Sequence, residues 1–181
     1  MGLMDSERTR FNALVSEVFD DLYRFAVRLE RDPVAAEDLL QTAMITAFSR
    51  IDQLRDEGAF RVWQSRIMLR AHQNRRRKRT EQAMAPETLD RVQDNVIALP
   101  SNPHKRLERA RLADQLANAI DELPDGQRAA ILLVDVEGFA MGEAAEVLEV
   151  PWGTIASRIA RGRRALRVSL EGVAREQGVI Q

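Results

Sequence analysis

Apolar positions recur at helical spacing along most of this chain, and no segment alternates like a strand for any length. Phe11, Leu14, Val15, Val18, Phe19, Leu22, Phe25, Ala26 and Leu29 predict a first helix over roughly Ser6–Arg31. A second helix has a marked start. Asp32 can cap it, Pro33 suits its first turn, and Glu37 and Asp38 favour the positive end of its dipole. Its stripe is Leu39, Leu40, Ala43, Met44, Ala47, Phe48 and Ile51. After the polar break Asp52–Gly58, a third helix is expected from about Ala59 to Arg79, with Phe60, Trp63, Ile67, Met68 and Ala71 on its apolar side.

The pattern lapses over residues 80–103, which predicts an interdomain linker. Asn102 and Pro103 then suggest a new helix start, with Leu107, Ala110, Leu112, Leu116, Ala119, Ile120 and Leu123 leading to a stop near Pro124. Shorter helices are expected at Asp125–Val136, Met141–Leu148 and Pro151–Gly172. The fold class is therefore all-α, with two small helical domains. Residues 1–79 form a three- or four-helix bundle, and residues 104–181 end in a helix-turn-helix.

Charge sharpens this picture. The net charge is only −1, yet residues 61–79 hold 8 basic and no acidic residues, and residues 150–181 hold 6 basic and 2 acidic. The remaining stretches are acidic in balance. Two separate basic islands in an acidic chain suit two contacts on one polyanion.

In the second island, Ala144, Ala145 and Leu148 are placed inward on a bracing helix, Glu149 and Val150 make a turn, and Pro151 opens a second helix. A helix in this position lies in the DNA major groove. Thr154 sits at its dipole-positive start, where a phosphate is favoured. Ser157, Arg158, Arg161 and Arg164 fall at i, i+1, i+4 and i+7 and share one broad face, with Arg163 and Arg167 beside them. Ile155, Ile159, Gly162 and Leu166 are expected to face the core. In the first island, Arg75–Arg79 is an unbroken basic run, and Arg61, Arg66 and Arg70 extend it upstream with Trp63 and His72 among them. Five charges exceed what dipole complementation at a helix end needs, so phosphate contact is expected. Trp63 is read as core rather than as a base-stacking ring.

Other chemistries find little footing. Cysteine is absent and there are two histidines, His72 and His104, with no glycine-rich phosphate loop, HExxH or nucleophile elbow. Neither an enzyme, a metal site nor a cofactor is expected. No apolar run is long enough to span a membrane and the N-terminus is too charged for a signal peptide, so a cytoplasmic location without membrane insertion is expected.

Three stretches carry a resemblance. These are LYRFAVRLERDPVAAEDLLQTAMITAFSRID, FRVWQSRIMLRAHQNRRRKR and ELPDGQRAAILLVDVEGFAMGEAAEVLEVPWGTIASRIARGRRAL. The first two resemble sigma region 2 and the last resembles sigma region 4 of extracytoplasmic-function sigma factors, of the sigma-70 family. The resemblance implies a transcription initiation factor that directs bacterial core RNA polymerase to promoter DNA under control of an anti-sigma factor. It assigns polymerase docking to Asp38, Leu39, Gln41 and Thr42 in AEDLLQT. It assigns the −10 region to the Asp52–Gly58 loop and to Arg61, Trp63, Arg66, Arg70, Asn74, Arg75 and Arg76. It assigns the −35 element to Ser157, Arg158, Arg161 and Arg163, and Thr154 and Arg164 join them from their places on the same helix. The chain departs from the family pattern at Arg70, where Asn is usual, at Asn74, where Asp is usual, and at Ala156, where a basic residue is frequent. A stand-alone helix-turn-helix regulator would account for residues 125–170 but not for the first basic island or the docking match.

Overall fold

A computed structural model describes residues 2–83 and 113–176, and these are helical with no strand among them. Two compact units divide the chain, Met1–Asp94 and Asn95–Gln181. The linker residues 84–103 and the expected helix start with Leu107, Ala110 and Leu112 lie outside the described residues.

The first unit holds α1 (Gly2–Glu30), α2 (Pro33–Phe48) and α3 (Phe60–Ala83), each packed on the other two. Arg31, at φ 60°, breaks α1 in the left-handed region. Asp32 then accepts a 2.7 Å hydrogen bond from the Ala35 N–H, and Pro33 opens α2 as its spacing predicts. Between α2 and α3, the Asp56 carboxylate accepts from the Gly58 N–H at 2.9 Å and turns the chain into α3. That helix runs through Ala83, four residues past the expected end at Arg79. No Pro or Gly lies there to stop it, and Thr80, Glu81 and Gln82 do not break a helix.

Leu22, Phe25 and Ala26 of α1, Ala36, Leu39 and Ala43 of α2, and Met68 and Leu69 of α3 make the core of this unit. Each large apolar side chain buried there contributes about 1.5–3 kcal/mol. Phe11 closes one end, edge-on to Phe48 and Phe60 with ring centroids at 5.4 and 5.9 Å. Three features differ from the sequence expectation. Phe19, at the edge of the α1 stripe, is exposed, and Trp63 is half-buried rather than core. Gln64, Ser65 and His72 are buried instead. The reason is that α3 packs against both α1 and α2, so a single apolar stripe cannot describe its buried surface.

Among the described residues the second unit opens on α4 (113–121). Then come α5 (Asp125–Ile131), α6 (Met141–Leu148) and α7 (Trp152–Glu176). The expected helix Asp125–Val136 is continuous, but its last five residues, Leu132–Val136, form a π-helical segment. The Glu137 N–H donates to the Leu132 carbonyl at 2.9 Å, and Gly138 at φ 72° ends the segment. Glu143 reaches back to accept from the Ala140 N–H at 2.7 Å and starts α6. The core is Ile131, Leu133, Ala144, Val147, Ile155 and Ile159. The helices approach closely at Gly162, where a Cβ would stand 2.8 Å from Ile131 Cγ1. Glycine there lets α7 close on α5.

Candidate nucleic-acid interface

The turn between α6 and α7 sets how α7 is presented. Glu149 adopts φ 54°, and the Val150 N–H bonds back to the Ala145 carbonyl at 3.1 Å. This is a left-handed helix end of the kind usually made by glycine. Pro151 then accepts from the Thr154 N–H at 2.9 Å, and α7 begins. Ile155, Ile159 and Gly162 seat one side of α7 on the core. The opposite side carries Ser157, Arg161 and Arg164, all exposed.

Ser157 and Arg161 are locked together. The Ser157 hydroxyl donates to the Thr154 carbonyl at 2.9 Å, while Arg161 donates to the Ser157 carbonyl through Nε and to its Oγ through Nη2, each at 3.2 Å. Arg161 therefore keeps a defined direction along the exposed face. Thr154 is half-buried beside this row.

Two of the expected DNA-binding residues stand apart from the row. Arg158 is half-buried and lies over the first turn of α5, so close that a Cβ at Gly126 would stand 3.0 Å from its Cζ. Arg163 falls about 120° round the helix from Ser157. It donates to Asp135 through Nε at 3.0 Å and Nη2 at 2.6 Å. Hydrogen bonding to Asp135, then its charge, pushes the Arg163 guanidinium above its ordinary value. Spacing in the sequence puts these arginines in one basic face. Packing against α5 and Asp135 separates them.

In the first unit α3 sorts its cations the same way. Trp63, Arg66, Arg70 and Asn74 fall at i, i+3, i+7 and i+11 and share an outer line, with Arg70 and Asn74 exposed. Arg76, Arg77 and Lys78 are exposed in the C-terminal third of the helix. Arg61 is half-buried, with Nε 3.4 Å from Asp21. Arg75 and Arg79 turn toward α1, with Arg75 Nε at 3.8 Å and Arg79 Nη1 at 3.3 Å from the Glu30 carboxylate. Arg75 also donates to the Ala35 carbonyl at 3.2 Å.

Glu30 is thus the hub of this end of the unit. Its side chain is only 2% exposed and lies 3.2 Å from His72 Nδ1. Burial pushes its carboxyl up, but the His72 hydrogen bond and the charges of His72, Arg75 and Arg79 outweigh burial and hold it below the ordinary carboxylate range. Glu30 does not stand out in the sequence. Its position at a helix C-terminus, where a carboxylate is disfavoured by the dipole, is the one signal that could have found it.

On α2, Asp38, Gln41 and Thr42 are exposed on one face, and the Thr42 hydroxyl donates to the Asp38 carbonyl at 2.8 Å. Leu39 is a correction. It is fully buried in the core, on the apolar stripe of α2 and about 100° round the helix from Asp38. The same outer face carries two residues not singled out from the sequence, Val34 and Ile45, 69% and 65% exposed. They fall at i and i+11, and their mismatch with the core stripe is legible.

Comparison with known proteins places these features. The Sigma-70 region 2 family matches residues 14–82 and the Sigma-70, region 4 family matches residues 113–166. Over 159 residues, 87% of its length, the chain is 37% identical to the ECF RNA polymerase sigma factor SigE of Mycolicibacterium smegmatis, and it spans 60% of that protein. It is 31% identical over 161 residues to the ECF RNA polymerase sigma factor SigM of Mycobacterium tuberculosis, covering 88% of this chain and 76% of the relative. The fold is similar to that of the sigma factor RpoE from Bartonella quintana, solved in complex with the anti-sigma factor NepR. The TM-score is 0.76 at 24% identity, over 90% of this chain and 97% of that one.

Proposed function

This chain belongs to the extracytoplasmic-function sigma factors of the sigma-70 family, and from that membership we propose that it directs bacterial core RNA polymerase to a particular set of promoters and helps open them. It acts as an initiation factor in the cytoplasm rather than as an enzyme. The observation that carries this reading is the exposed row Ser157, Arg161 and Arg164 on a helix whose other side is fixed in the core. A helix so presented reads base edges in the major groove, here those of the −35 element. The outer line of α3, with Arg66, Arg70 and Asn74, meets the −10 region. The α2 face with Asp38, Gln41 and Thr42, extended by Val34 and Ile45, docks on the polymerase. An anti-sigma factor controls the protein by covering these faces. The Bartonella protein, similar in fold and solved with such a partner, supports that control. Residues 84–103 are proposed to join the two DNA-contacting parts.

The test is run-off transcription with purified core polymerase on genomic promoter fragments, with and without this protein. Transcripts that appear only in its presence are expected. Tight duplex binding by the protein alone, with no transcripts, would instead indicate a stand-alone helix-turn-helix regulator.

Two variants follow from the geometry. Arg161→Ala weakens promoter recognition by about 1–3 kcal/mol and relaxes selectivity at one position. Unaltered selectivity in a promoter-mutation series removes Arg161 from the base-reading residues. Changing Arg76, Arg77 and Lys78 together to Gln lowers affinity for every promoter and reduces the salt slope by about 0.7–0.9 for each phosphate that is no longer neutralised. An unchanged slope excludes that part of α3 from the DNA interface.

A further inference from the structure

Trp152 is the first residue of α7 and is 59% exposed. Its place round the helix does not predict this. It lies three and seven residues before Ile155 and Ile159, which are buried, so its azimuth is that of the core side. The ring escapes the core because side chains on a helix lean toward the N-terminus. From the first residue of α7 the indole is carried past the helix start, where no preceding turn covers it. The next residue, Gly153, has no side chain, and a Cβ there would meet nothing within 4 Å. The preceding residue, Pro151, is itself exposed. The ring is thus an apolar surface at the leading tip of the helix.

In a helix-turn-helix the N-terminal residues of the second helix are those that meet base edges. The major groove offers one apolar group, the C5-methyl of thymine. The cations of α7 supply hydrogen bonds but no surface for that methyl, and the Thr154 methyl, on a half-buried side chain, offers far less apolar area than the exposed indole. Along the axis Trp152 precedes Ser157 by about 7.5 Å, or about two base steps at 3.4 Å.

Building on the sigma-factor reading, we propose that Trp152 is a specificity-determining residue that packs its indole against a thymine methyl at one edge of the upstream promoter element, within about two base steps of the position Ser157 meets. The other exposed row of α7 recognises polar base edges, and Trp152 adds an apolar one. Because the ring stands largely outside the core, its removal leaves the fold intact.

The experiment is selection from a randomised duplex promoter pool by holoenzyme assembled on purified bacterial core polymerase. Wild type, Trp152→Ala and Arg161→Ala are compared, with thermal unfolding of each variant as the fold control. The expected result is that wild type selects thymine at one edge position. Trp152→Ala loses that preference by about fivefold or more, the low end of a base contact, and keeps the rest. Replacing that thymine by deoxyuridine, which lacks only the methyl, weakens transcription by wild type and leaves Trp152→Ala unaffected. Identical preferences in wild type and Trp152→Ala overturn the inference while leaving the sigma reading in place. So does a loss spread uniformly over all sequences, or indifference of wild type to deoxyuridine. A wild type that selects no sequence and yields no transcript overturns both.

Discussion

Replacing Glu30 with Ala lowers the stability of the first unit by about 2–3 kcal/mol, below the 3–5 kcal/mol typical of breaking a fully buried pair. The discount arises because Arg79, with its side chain 55% exposed, swings into water when its partner is removed. His72 cannot, since its side chain is buried to within 6%. Its Nδ1 is left without Glu30, and its Nε2 already has no hydrogen-bond partner. The change is read from urea unfolding followed by Trp63 fluorescence in a Trp152→Phe background, so that only the first unit reports. A cost under 0.5 kcal/mol, ordinary for a surface residue, contradicts the hub role.

The same group gives the first unit an acid dependence of known sign. The folded Glu30 carboxyl is held below its ordinary value. Its contribution is complete above the unfolded-state value and is lost as pH falls through the lower, folded one. Wild type therefore loses stability on acidification below the ordinary carboxylate range, and Glu30→Gln lacks that component. Parallel stability curves for the two proteins would rule it out.

Gly162→Val costs the second unit about 3 kcal/mol, near the upper end for forcing extra atoms into a packed interior. The first added carbon stands 2.8 Å from Ile131 Cγ1 and 3.3 Å from its Cδ1. Ile131 is itself almost fully buried and cannot step aside. Gly162→Ala costs less, about 1 kcal/mol, because the better helix propensity of Ala offsets part of the clash. Ile131→Val, introduced with Gly162→Ala, relieves some of the crowding. The double variant is then more stable than the sum of the two single changes allows. Strict additivity would mean that the close approach of α5 and α7 is not what sets the cost.

Much of this architecture is legible in the sequence, and the reasons are local. Asp32–Pro33 announces α2 because a cap and a fixed φ act over two residues. Ile155, Ile159 and Gly162 mark the seated side of α7 because spacing alone decides it. What escapes depends on pairings distant in sequence. His72 meets Glu30 across 42 positions, and Arg163 meets Asp135 across 28. No periodicity reports such pairs. Leu39 reads as a docking residue through its neighbours in AEDLLQ, yet its place in the apolar stripe of α2 already marks it for the inward side it takes. Val34 and Ile45 are the reverse case, apolar residues on an outer face whose partner surface the sequence does not display.

The π-helical segment Leu132–Val136 bears on how this chain tolerates changes of length. A π turn holds one residue more than the α turn whose place it takes. The extra residue is accommodated inside the helix, so the segment from Gly138 to α6 need not lengthen to absorb it. Ile131 and Leu133 stay in the core while Asp135, on the widened turn, reaches Arg163. Deleting Val134 would tighten the turn to α geometry and rotate Asp135 by about 100°, while Ile131, which precedes the change and meets Gly162, keeps its place. The bulge is a point of phase adjustment, where a change of length alters whether Arg163 is neutralised while Ile131 keeps its seat against Gly162.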